Sequence, residues 1–571
     1  MWNCAAKPRY RRNTAVRTKS KPGKWVKRGH APAPGAAKRT IFGLTWPVLV
    51  PLALMCLAVL LIMAARVRLL EVPLERDEGE YAYIGQLMLQ GVAPYGVAAN
   101  MKLPGTYAAY ALLMAIFGQT TSGIHFGFLL VNAGTVVLVF FLAKKLFGGA
   151  AGVSAAAAYA VLSVGGGVMG LWAHATNFVV LPALGATLLL LKWVDRRSVL
   201  TLISSGLLFG IAFLMKQPGI LFALFGGLYL VYTQRKVLRS NGPSVLRNLV
   251  LFGAAVFLPF GVTCLLLWRA GVFPQFWFWV FTYARAYASI RPFSAAVSAF
   301  RSTAAPIAKN NLGICLLAVA GLLLLFRAGR NRTSAVMVTG FLVFSFLAIC
   351  PGLYFREHYY ILLLPAVALL IGAVAATAKE TVAKALPLWL IAGALAYSLW
   401  CQGDFLFRMS PGEASRFVYH LNPFQEAIKL ADYIRDRSKS DDRLVVLGSE
   451  PEIYFYTARR SVTPYVYVYP MTEPQPYASR MQAQFIHDVE TNKPKYLVYV
   501  NLDFYWLVQQ GSATSFLTWI ASYCQRYYDR VGVADIGSHE TYYQWDAAAR
   551  IYQPQSHNLI VIFKRKGSGG S

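Results

Sequence analysis

Long apolar runs separated by short polar loops dominate the first 400 residues of the chain. A membrane-spanning helix needs about 20 apolar residues, and residues 44–65 meet this requirement without a single charge. The pattern predicts ten further crossings, near 122–143, 150–170, 177–192, 199–214, 219–233, 248–268, 311–326, 334–350, 360–378 and 385–400. The sequence therefore predicts a polytopic α-helical membrane domain over residues 44–400, with about eleven transmembrane helices.

One further apolar run, residues 103–117, is short and opens with Leu103-Pro104-Gly105. If it also crossed the membrane, Lys144 and Lys145 would face outside, against the positive-inside rule. We therefore expect a juxtamembrane or re-entrant helix in the first external loop. An amphipathic stretch over residues 81–89 precedes it and is expected to lie along the membrane interface.

Beyond Trp400 the apolar runs become short and alternate in type. Residues 424–437 have a helical pattern, and four strand-like segments follow, RLVVLGS, YVYVY, KYLVYVNL and LIVIFKR. Helices alternating with short β-branched strands are typical of an α/β domain. Residues 401–571 are thus predicted to form a soluble α/β domain, and the sequence leaves open whether Cys401 and Cys524 form a disulfide there.

Charge divides the chain at the same place. The 571 residues carry 55 Lys and Arg against 25 Asp and Glu, a net charge of +30. Residues 1–400 contain 37 of these bases and 8 acids, whereas residues 401–571 contain 18 bases and 17 acids. Charged residues make up about a quarter of an ordinary soluble domain, so the first part is excluded from that class. With seven cysteines, mostly inside apolar runs, a secreted disulfide scaffold is excluded as well.

Twelve of the bases lie in an acid-free segment between Lys7 and Arg39. A segment this rich in Lys, Arg, Pro and Gly cannot bury a core, so residues 1–43 are predicted to be a disordered tail. We interpret it as a cytoplasmic anchor against anionic membrane lipids rather than as a nucleic-acid-binding arm. No secretory cleavage pattern precedes the first apolar run. With a cytoplasmic N-terminus in the inner membrane, an odd number of crossings places the C-terminal domain in the periplasm or another extracytoplasmic space.

The acids of the membrane domain are scarce and clustered. Five of the eight lie between Glu71 and Glu80, directly after the first predicted crossing. Carboxylates at a membrane interface can act as general bases, bind a metal, or form a solvated loop. Their concentration in a segment otherwise poor in acids favours a functional site, with Asp77 and Glu78 at its centre.

Basic residues on the predicted external side complement these acids. Lys102 precedes the Leu-Pro-Gly turn, Lys216 lies in a tight hairpin, and the acid-free loop 271–310 includes Arg285. Arg356 opens the segment Arg356-Glu357-His358-Tyr359-Tyr360. Such cations suit an anionic phosphate ligand, although cations near helix ends also contact lipid headgroups. A single histidine such as His174, in another external turn, is more often a structural group than a ligand.

Five features of the sequence together resemble GT-C membrane glycosyltransferases. They are the acidic pair after the first helix, Lys102 with the proline at position 104, the segment Lys144-Lys145-Leu146-Phe147-Gly148, the Lys216 hairpin and the Arg356-x-x-Tyr359-Tyr360 motif. The resemblance is strongest to bacterial glycosyltransferase family 39, which is related to protein O-mannosyltransferases and to the aminoarabinose transferase that modifies lipid A. It covers roughly residues 44–400. The frequent Lys-Pro-Pro-Leu of the family appears here as Lys102-Leu103-Pro104-Gly105.

The resemblance implies an inverting enzyme that moves a sugar from a polyprenyl-phosphate donor to a hydroxyl of a lipid, protein or glycan acceptor at the outer face of the membrane. It makes Asp77 the general base and places Lys102 at the donor phosphate. The side chains expected to bind substrate and phosphate with Lys102 are Lys216, Arg356, His358, Tyr359, His174 and Arg285. The sequence establishes no cofactor and leaves a divalent metal open, because Glu78 can assist Asp77 or join His174 or His358 in a metal site. No nucleic-acid partner is expected.

Two other classes of function fit a polytopic protein of this kind. A transporter or lipid flippase would carry ionisable residues inside its helices, whereas the carboxylates here are confined to loops. A non-catalytic membrane scaffold with an external binding domain is the second alternative. Loss of sugar transfer on substitution of Asp77 would distinguish the enzyme from both.

Overall fold

The structure is a computed structural model that describes residues 40–41, 44–327, 332–379, 381–502, 506–538 and 540–567. Most of the predicted basic tail lies outside these residues. At its end, Thr40–Ile41 (β1) pairs antiparallel with Leu44–Thr45 (β2).

Helices form most of the described chain up to Cys401. In chain order they are α1 (Trp46–Arg68), α2 (Arg76–Leu89), α3 (Pro104–Phe117), α4 (Thr121–Phe147), α5 (Gly149–Val164), α6 (Ala175–Arg196), α7 (Val199–Met215), α8 (Ile220–Thr233), α9 (Arg235–Ser240), α10 (Gly242–Arg269), α11 (Phe273–Trp277), α12 (Ala284–Ala288), α13 (Ala296–Asn310), α14 (Leu312–Leu325), α15 (Arg332–Ile349), α16 (Leu364–Ala375) and α17 (Val382–Cys401). The prediction of a polytopic helical membrane domain is confirmed.

A helix lies at each of the eleven predicted crossings, but they differ in length. Among the described residues, six are long and apolar enough to span a membrane, namely α1, α4, α6, α10, α15 and α17. A seventh span is counted if α13 and α14, which meet at an angle of 100°, are taken together. The helices α5, α7, α8 and α16 are apolar but shorter than 18 residues. The total of eleven crossings therefore stays a prediction.

The first external loop differs from its predicted form. Its helix α3 matches the predicted run, but α2, which contains the stretch expected at the membrane interface, is buried from Glu78 to Leu87. It packs between α3 and the C-terminal domain. Gly79 makes the close approach possible, because a Cβ atom there would lie 2.5 Å from the backbone nitrogen of Glu452.

The C-terminal domain confirms the α/β prediction. Its elements are α18 (Pro411–Tyr419), α19 (Phe424–Asp436), β3 (Arg443–Leu447), α20 (Glu452–Thr457), β4 (Arg460–Ser461), α21 (Tyr469–Thr472), α22 (Ala478–Asn492), β5 (Tyr496–Asn501), α23 (Ser515–Tyr527), β6 (Tyr528–Ile536), β7 (Thr541–Trp545), α24 (Asp546–Ile551) and β8 (Leu559–Arg565). The strands form one mixed sheet in the order β4-β3-β5-β8-β6-β7. Strands β4, β3 and β5 are parallel, and β8 pairs antiparallel with both β5 and β6.

One expectation for this domain is wrong. The alternating segment Tyr465–Tyr469 is not a strand of the sheet; it forms only an isolated bridge, between Tyr465 and Ala99 of the first external loop. Its valines are buried, whereas Tyr467 and Tyr469 line a cavity above α2. Cys401 and Cys524 are both free thiols, the first exposed at the end of α17 and the second buried in α23.

Candidate active site

The N-terminus of α2 spreads the clustered acids in different directions. Glu75 is the N-cap, and its carboxylate accepts the Glu78 backbone N–H at 2.9 Å as part of a capping box. Successive residues of a helix point about 100° apart. Asp77 therefore keeps a side chain that is 24% exposed, whereas the side chains of Glu78 and Glu80 are fully buried.

Asp77 forms an ion pair with Lys102, the residue that the sequence analysis expected at the donor phosphate. The Lys102 ammonium donates to Oδ1 of Asp77 at 2.7 Å and to Oε2 of Glu80 at 2.6 Å. Burial opposes ionisation of Asp77, but the Lys102 ammonium holds the pKa of its carboxyl well below the usual range. Burial raises the pKa of Glu80, which also accepts from Tyr107 and Asn100. Asp77 is thus the ionised carboxylate of the pair.

His174 and His358 stack beside Asp77. Their rings are 4.3 Å apart and nearly parallel, with His174 at the N-cap of α6 and His358 in a 3-10 turn between α15 and α16. Burial lowers the pKa of His174 to about 4 and that of His358 well below its ordinary value. Both rings are therefore neutral, which is the form that binds metals.

These three side chains fit a divalent cation. One ligand atom from each of Asp77, His174 and His358 lies within 4.8 Å of the other two. Nδ1 of His174 is buried and makes no hydrogen bond among the described residues, although Oε1 of Glu75 lies 3.4 Å away. Two imidazoles and one carboxylate, with room for a further ligand, form a donor set typical of catalytic Zn²⁺.

Glu78 lies outside this cluster. Its buried carboxylate accepts the Ala173 backbone N–H at 2.5 Å and lies 3.1 Å from Nε2 of His125 on α4. These contacts attach α2 to the membrane helices. Glu78 therefore contributes to the packing of α2 and does not face the cation cluster. The sequence analysis proposed Glu78 as the acidic ligand of a metal, whereas the structure has Asp77 in that position.

Two cavities meet at Asp77. An apolar cavity of about 350 Å³ lies on the side of the membrane helices, and a polar cavity of about 210 Å³ lies beneath the C-terminal domain. Asp77, Lys102, Arg356 and His358 line both.

The other predicted phosphate-binding residues lie on the apolar side. Lys216, Arg285 and Tyr359 line the apolar cavity, where the Lys216 ammonium sits 4.2 Å from the centre of the Tyr359 ring. Lys216 occupies the turn between α7 and α8, and its burial lowers the pKa of the ammonium to about 7. His174 lines the polar cavity. Of the nine site residues predicted from the sequence, the structure thus brings eight to the two cavities and leaves Glu78 apart.

The C-terminal domain adds residues that sequence reasoning missed. Those that line the polar cavity are Tyr419, Asn422, Tyr467, Tyr469, Pro470 and Glu473. The Tyr467 hydroxyl lies 3.2 Å from Oδ1 of Asp77. For Tyr467 and Tyr469 the signal in the sequence was the alternating Tyr-Val segment, which we interpreted as a strand.

Comparisons with known proteins identify the fold. The family model for dolichyl-phosphate-mannose-protein mannosyltransferase matches residues 102–262. The crystal structure of ArnT from Cupriavidus metallidurans bound to undecaprenyl phosphate superposes with a TM-score of 0.57 at 14% identity, covering 91% of this chain and 98% of that one. The oligosaccharyltransferase of Archaeoglobus fulgidus in its apo form gives a TM-score of 0.51 at 13% identity, covering 88% and 75%.

No curated protein sequence matches the chain. The resemblance to GT-C glycosyltransferases inferred from the sequence is nevertheless confirmed by the family model and by the shared fold. The chain is a multi-pass membrane protein with this fold and a C-terminal sheet domain.

Proposed function

From this fold we propose that the protein transfers a sugar from a polyprenyl-phosphate donor to an acceptor hydroxyl, with inversion at the anomeric carbon and Asp77 as general base. One observation carries the proposal. The Asp77 carboxylate lies on the wall shared by an apolar cavity rich in cations and a polar cavity beneath the C-terminal domain.

The apolar cavity suits the lipid donor. Its walls combine apolar side chains such as Val280, Phe281 and Leu362 with the cations Lys216 and Arg356. An isoprenoid chain needs the apolar surface, and the phosphate needs the cations. The two relatives with comparable folds are described with lipids of this type, ArnT with undecaprenyl phosphate and the Archaeoglobus enzyme with a dolichol-phosphate.

The reaction follows from this arrangement. Asp77 takes the proton of the acceptor hydroxyl as its oxygen bonds to the anomeric carbon, while the bond from that carbon to the phosphate oxygen breaks. The phosphate leaves with the bonding electrons, and Lys102, Lys216 and Arg356 stabilise its charge. An anionic phosphate also competes with Asp77 for the Lys102 ammonium, and a carboxylate freed of that cation is a stronger base.

A divalent ion, where bound by Asp77, His174 and His358, would supply further positive charge for the departing phosphate. The side chains of the chain itself bind both substrates and move the proton.

The proposed location is the cytoplasmic membrane, with the active site at its outer face. Support comes from the positive charge at the predicted cytoplasmic ends of helices. Lys144 and Lys145 lie in the last turn of α4, and Arg196 in the last turn of α6. The active site lies among loops at the opposite ends of these helices, facing the C-terminal domain.

The test is donor turnover by the full chain in lipid nanodiscs. Undecaprenyl-phosphate-linked hexoses and pentoses with a labelled sugar are offered with a panel of hydroxyl acceptors, and release of undecaprenyl phosphate is measured. Because general bases contribute about 10²- to 10⁴-fold, Asp77→Asn is expected to lower kcat by at least about 100-fold. Lys102→Met is expected to weaken binding of undecaprenyl phosphate.

Asp404→Asn is the matched control, because Asp404 is an exposed acid that pairs with Arg408. Wild-type turnover by the Asp77→Asn protein would refute the role of Asp77. Release of the product with retained anomeric configuration would refute inversion.

A further inference from the structure

Glu473 is a buried carboxyl that the proposed reaction does not use. It directly follows α21 and is only 4% exposed. Its Oε2 atom has no hydrogen-bond partner among the residues that the structure describes. A buried polar atom without a partner costs stability, and a ligand group that bonds Oε2 would remove this cost.

The position of Glu473 is at the junction of two spaces. It lines the polar cavity beside Asp77, and it also lines an outer groove of about 440 Å³ whose other residues include Arg291, Pro292, Tyr354 and Gln509. Arg356 likewise lines both. A substrate that enters from the groove therefore passes Glu473 and Arg356 before it reaches Asp77.

The polar cavity has the chemistry of a sugar site. The rings of Tyr283, Tyr287, Tyr467 and Tyr469 form much of its wall. Flat aromatic surfaces pack against the C–H faces of a sugar ring. The hydroxyls of a sugar both donate and accept hydrogen bonds, so they match the Glu473 carboxyl and the Arg356 guanidinium, which line the same cavity.

The polar cavity carries charges of both signs. Arg76, Lys102 and Arg356 line it together with the acids Glu75, Asp77, Glu357 and Glu473, so a sugar hydroxyl, which both donates and accepts, finds partners of both kinds there. Burial raises the pKa of Glu473 to about 7 against the opposing effect of Arg356, so near neutral pH this carboxyl can both donate to and accept from a hydroxyl.

We infer that the polar cavity is the acceptor site, that the acceptor presents a polyhydroxylated sugar ring there, and that Glu473 binds one of its hydroxyls. The inference rests on the proposed function, since it names the acceptor class for the same reaction. It also gives the C-terminal domain a role in choosing the acceptor, because that domain supplies Glu473 and two of the tyrosines.

The experiment uses the full chain in nanodiscs with whichever labelled undecaprenyl-phosphate sugar the wild type turns over. The acceptor probes are p-nitrophenyl hexosides and pentosides, compared with a peptide rich in Ser and Thr. Label is expected on the glycosides. Because a hydrogen bond to a charged group is lost, Glu473→Ala is expected to raise the KM for the glycoside about tenfold or more with a smaller change in kcat. Glu473→Gln, which keeps a carbonyl oxygen, is expected to be intermediate.

Binding of undecaprenyl phosphate, measured by native mass spectrometry, reports whether each variant is folded, because Glu473 does not line the apolar cavity. The control is Glu490→Ala, an exposed carboxylate of the same domain that bonds the Trp519 indole. Transfer only to the peptide would overturn the sugar assignment. An unchanged glycoside KM in a Glu473→Ala protein that binds undecaprenyl phosphate would overturn the role of Glu473. Absence of any donor turnover by the wild type would overturn the proposed function itself, and this inference with it.

Discussion

The hydroxyl of Tyr467 lies 3.2 Å from Oδ1 of Asp77, so the C-terminal domain reaches the carboxylate at the centre of the site. The same hydroxyl is 3.0 Å from the backbone carbonyl oxygen of Arg76. A phenol has one proton to donate, so the two acceptors share it. Arg76 in turn donates to the Ser449 carbonyl oxygen at 2.7 Å. The sheet domain therefore holds the first turn of α2 in place.

Tyr467→Phe tests this contact. Loss of one hydrogen bond, worth about 1 kcal/mol, is expected to lower kcat about fivefold. A donor to a carboxylate favours its ionised form, so its removal raises the pKa of Asp77. The acid limb of the pH–rate profile is then expected to shift to higher pH. Tyr465→Phe is the control, because the Tyr465 hydroxyl bonds Gln484 instead. An acid limb that does not move in Tyr467→Phe would show that Tyr467 does not orient the base.

The cation cluster predicts metal binding by a specific set of ligands. We expect the purified protein, dialysed against Zn²⁺ and then washed, to retain about one ion per chain by elemental analysis. His174→Ala and His358→Ala are expected to lose it, because each removes one of the three ligands. Glu78→Gln is expected to keep it, because the Glu78 carboxylate contacts Ala173 and His125 instead. Loss of zinc from Glu78→Gln would instead support the ligand set expected from the sequence, Glu78 with His174 or His358.

The contrast between Asp77 and Glu78 shows what the sequence could supply. Clustering of scarce acids pointed to the candidate site, and external basic residues pointed to Lys102, Lys216 and Arg356, which line its cavities. Which of two adjacent acids faces the cavity depends on where α2 begins, and that is decided by a capping box between Glu75 and Glu78 that is evident only in the folded chain.

The contribution of the C-terminal domain was beyond sequence reasoning for a different reason. Tyr467 and Asp77 are 390 positions apart, and no local pattern indicates that they meet. The alternation of Tyr and Val matches a difference in environment, because Val466 and Val468 are buried whereas Tyr467 and Tyr469 line the polar cavity. It could not show that one face covers α2 instead of joining the sheet.

Gly79→Ala tests the packing that joins the two domains. A Cβ atom at Gly79 would lie 2.5 Å from the Glu452 backbone nitrogen and 2.6 Å from its Cβ atom. Backbone cannot move aside as a flexible side chain does, so overpacking is expected to cost about 1–3 kcal/mol and to lower the melting temperature. Gly253→Ala is the control, since a Cβ there meets nothing within 4 Å and alanine favours the helix. Equal melting temperatures for the two variants would contradict the close contact between α2 and α20.

Glu450 predicts how the stability of this interface depends on pH. Burial raises the pKa of its carboxyl to about 7 even though Arg76 opposes this increase, whereas an unfolded chain has a Glu pKa near 4.3. Between these values the folded protein binds more protons than the unfolded one, so the contribution of Glu450 to stability falls as pH rises and levels off above about 7. A tenfold difference in proton affinity between the folded and unfolded chains corresponds to about 1.4 kcal/mol.

Glu450→Gln removes this titration, so from pH 5 to pH 8 its melting temperature is expected to fall by a few degrees less than that of the wild type. Glu490→Gln, which changes an exposed carboxylate, is expected to follow the wild type. If Glu450→Gln lost more stability than the wild type over this range, Glu450 would have to be ionised at pH 5 in the folded protein.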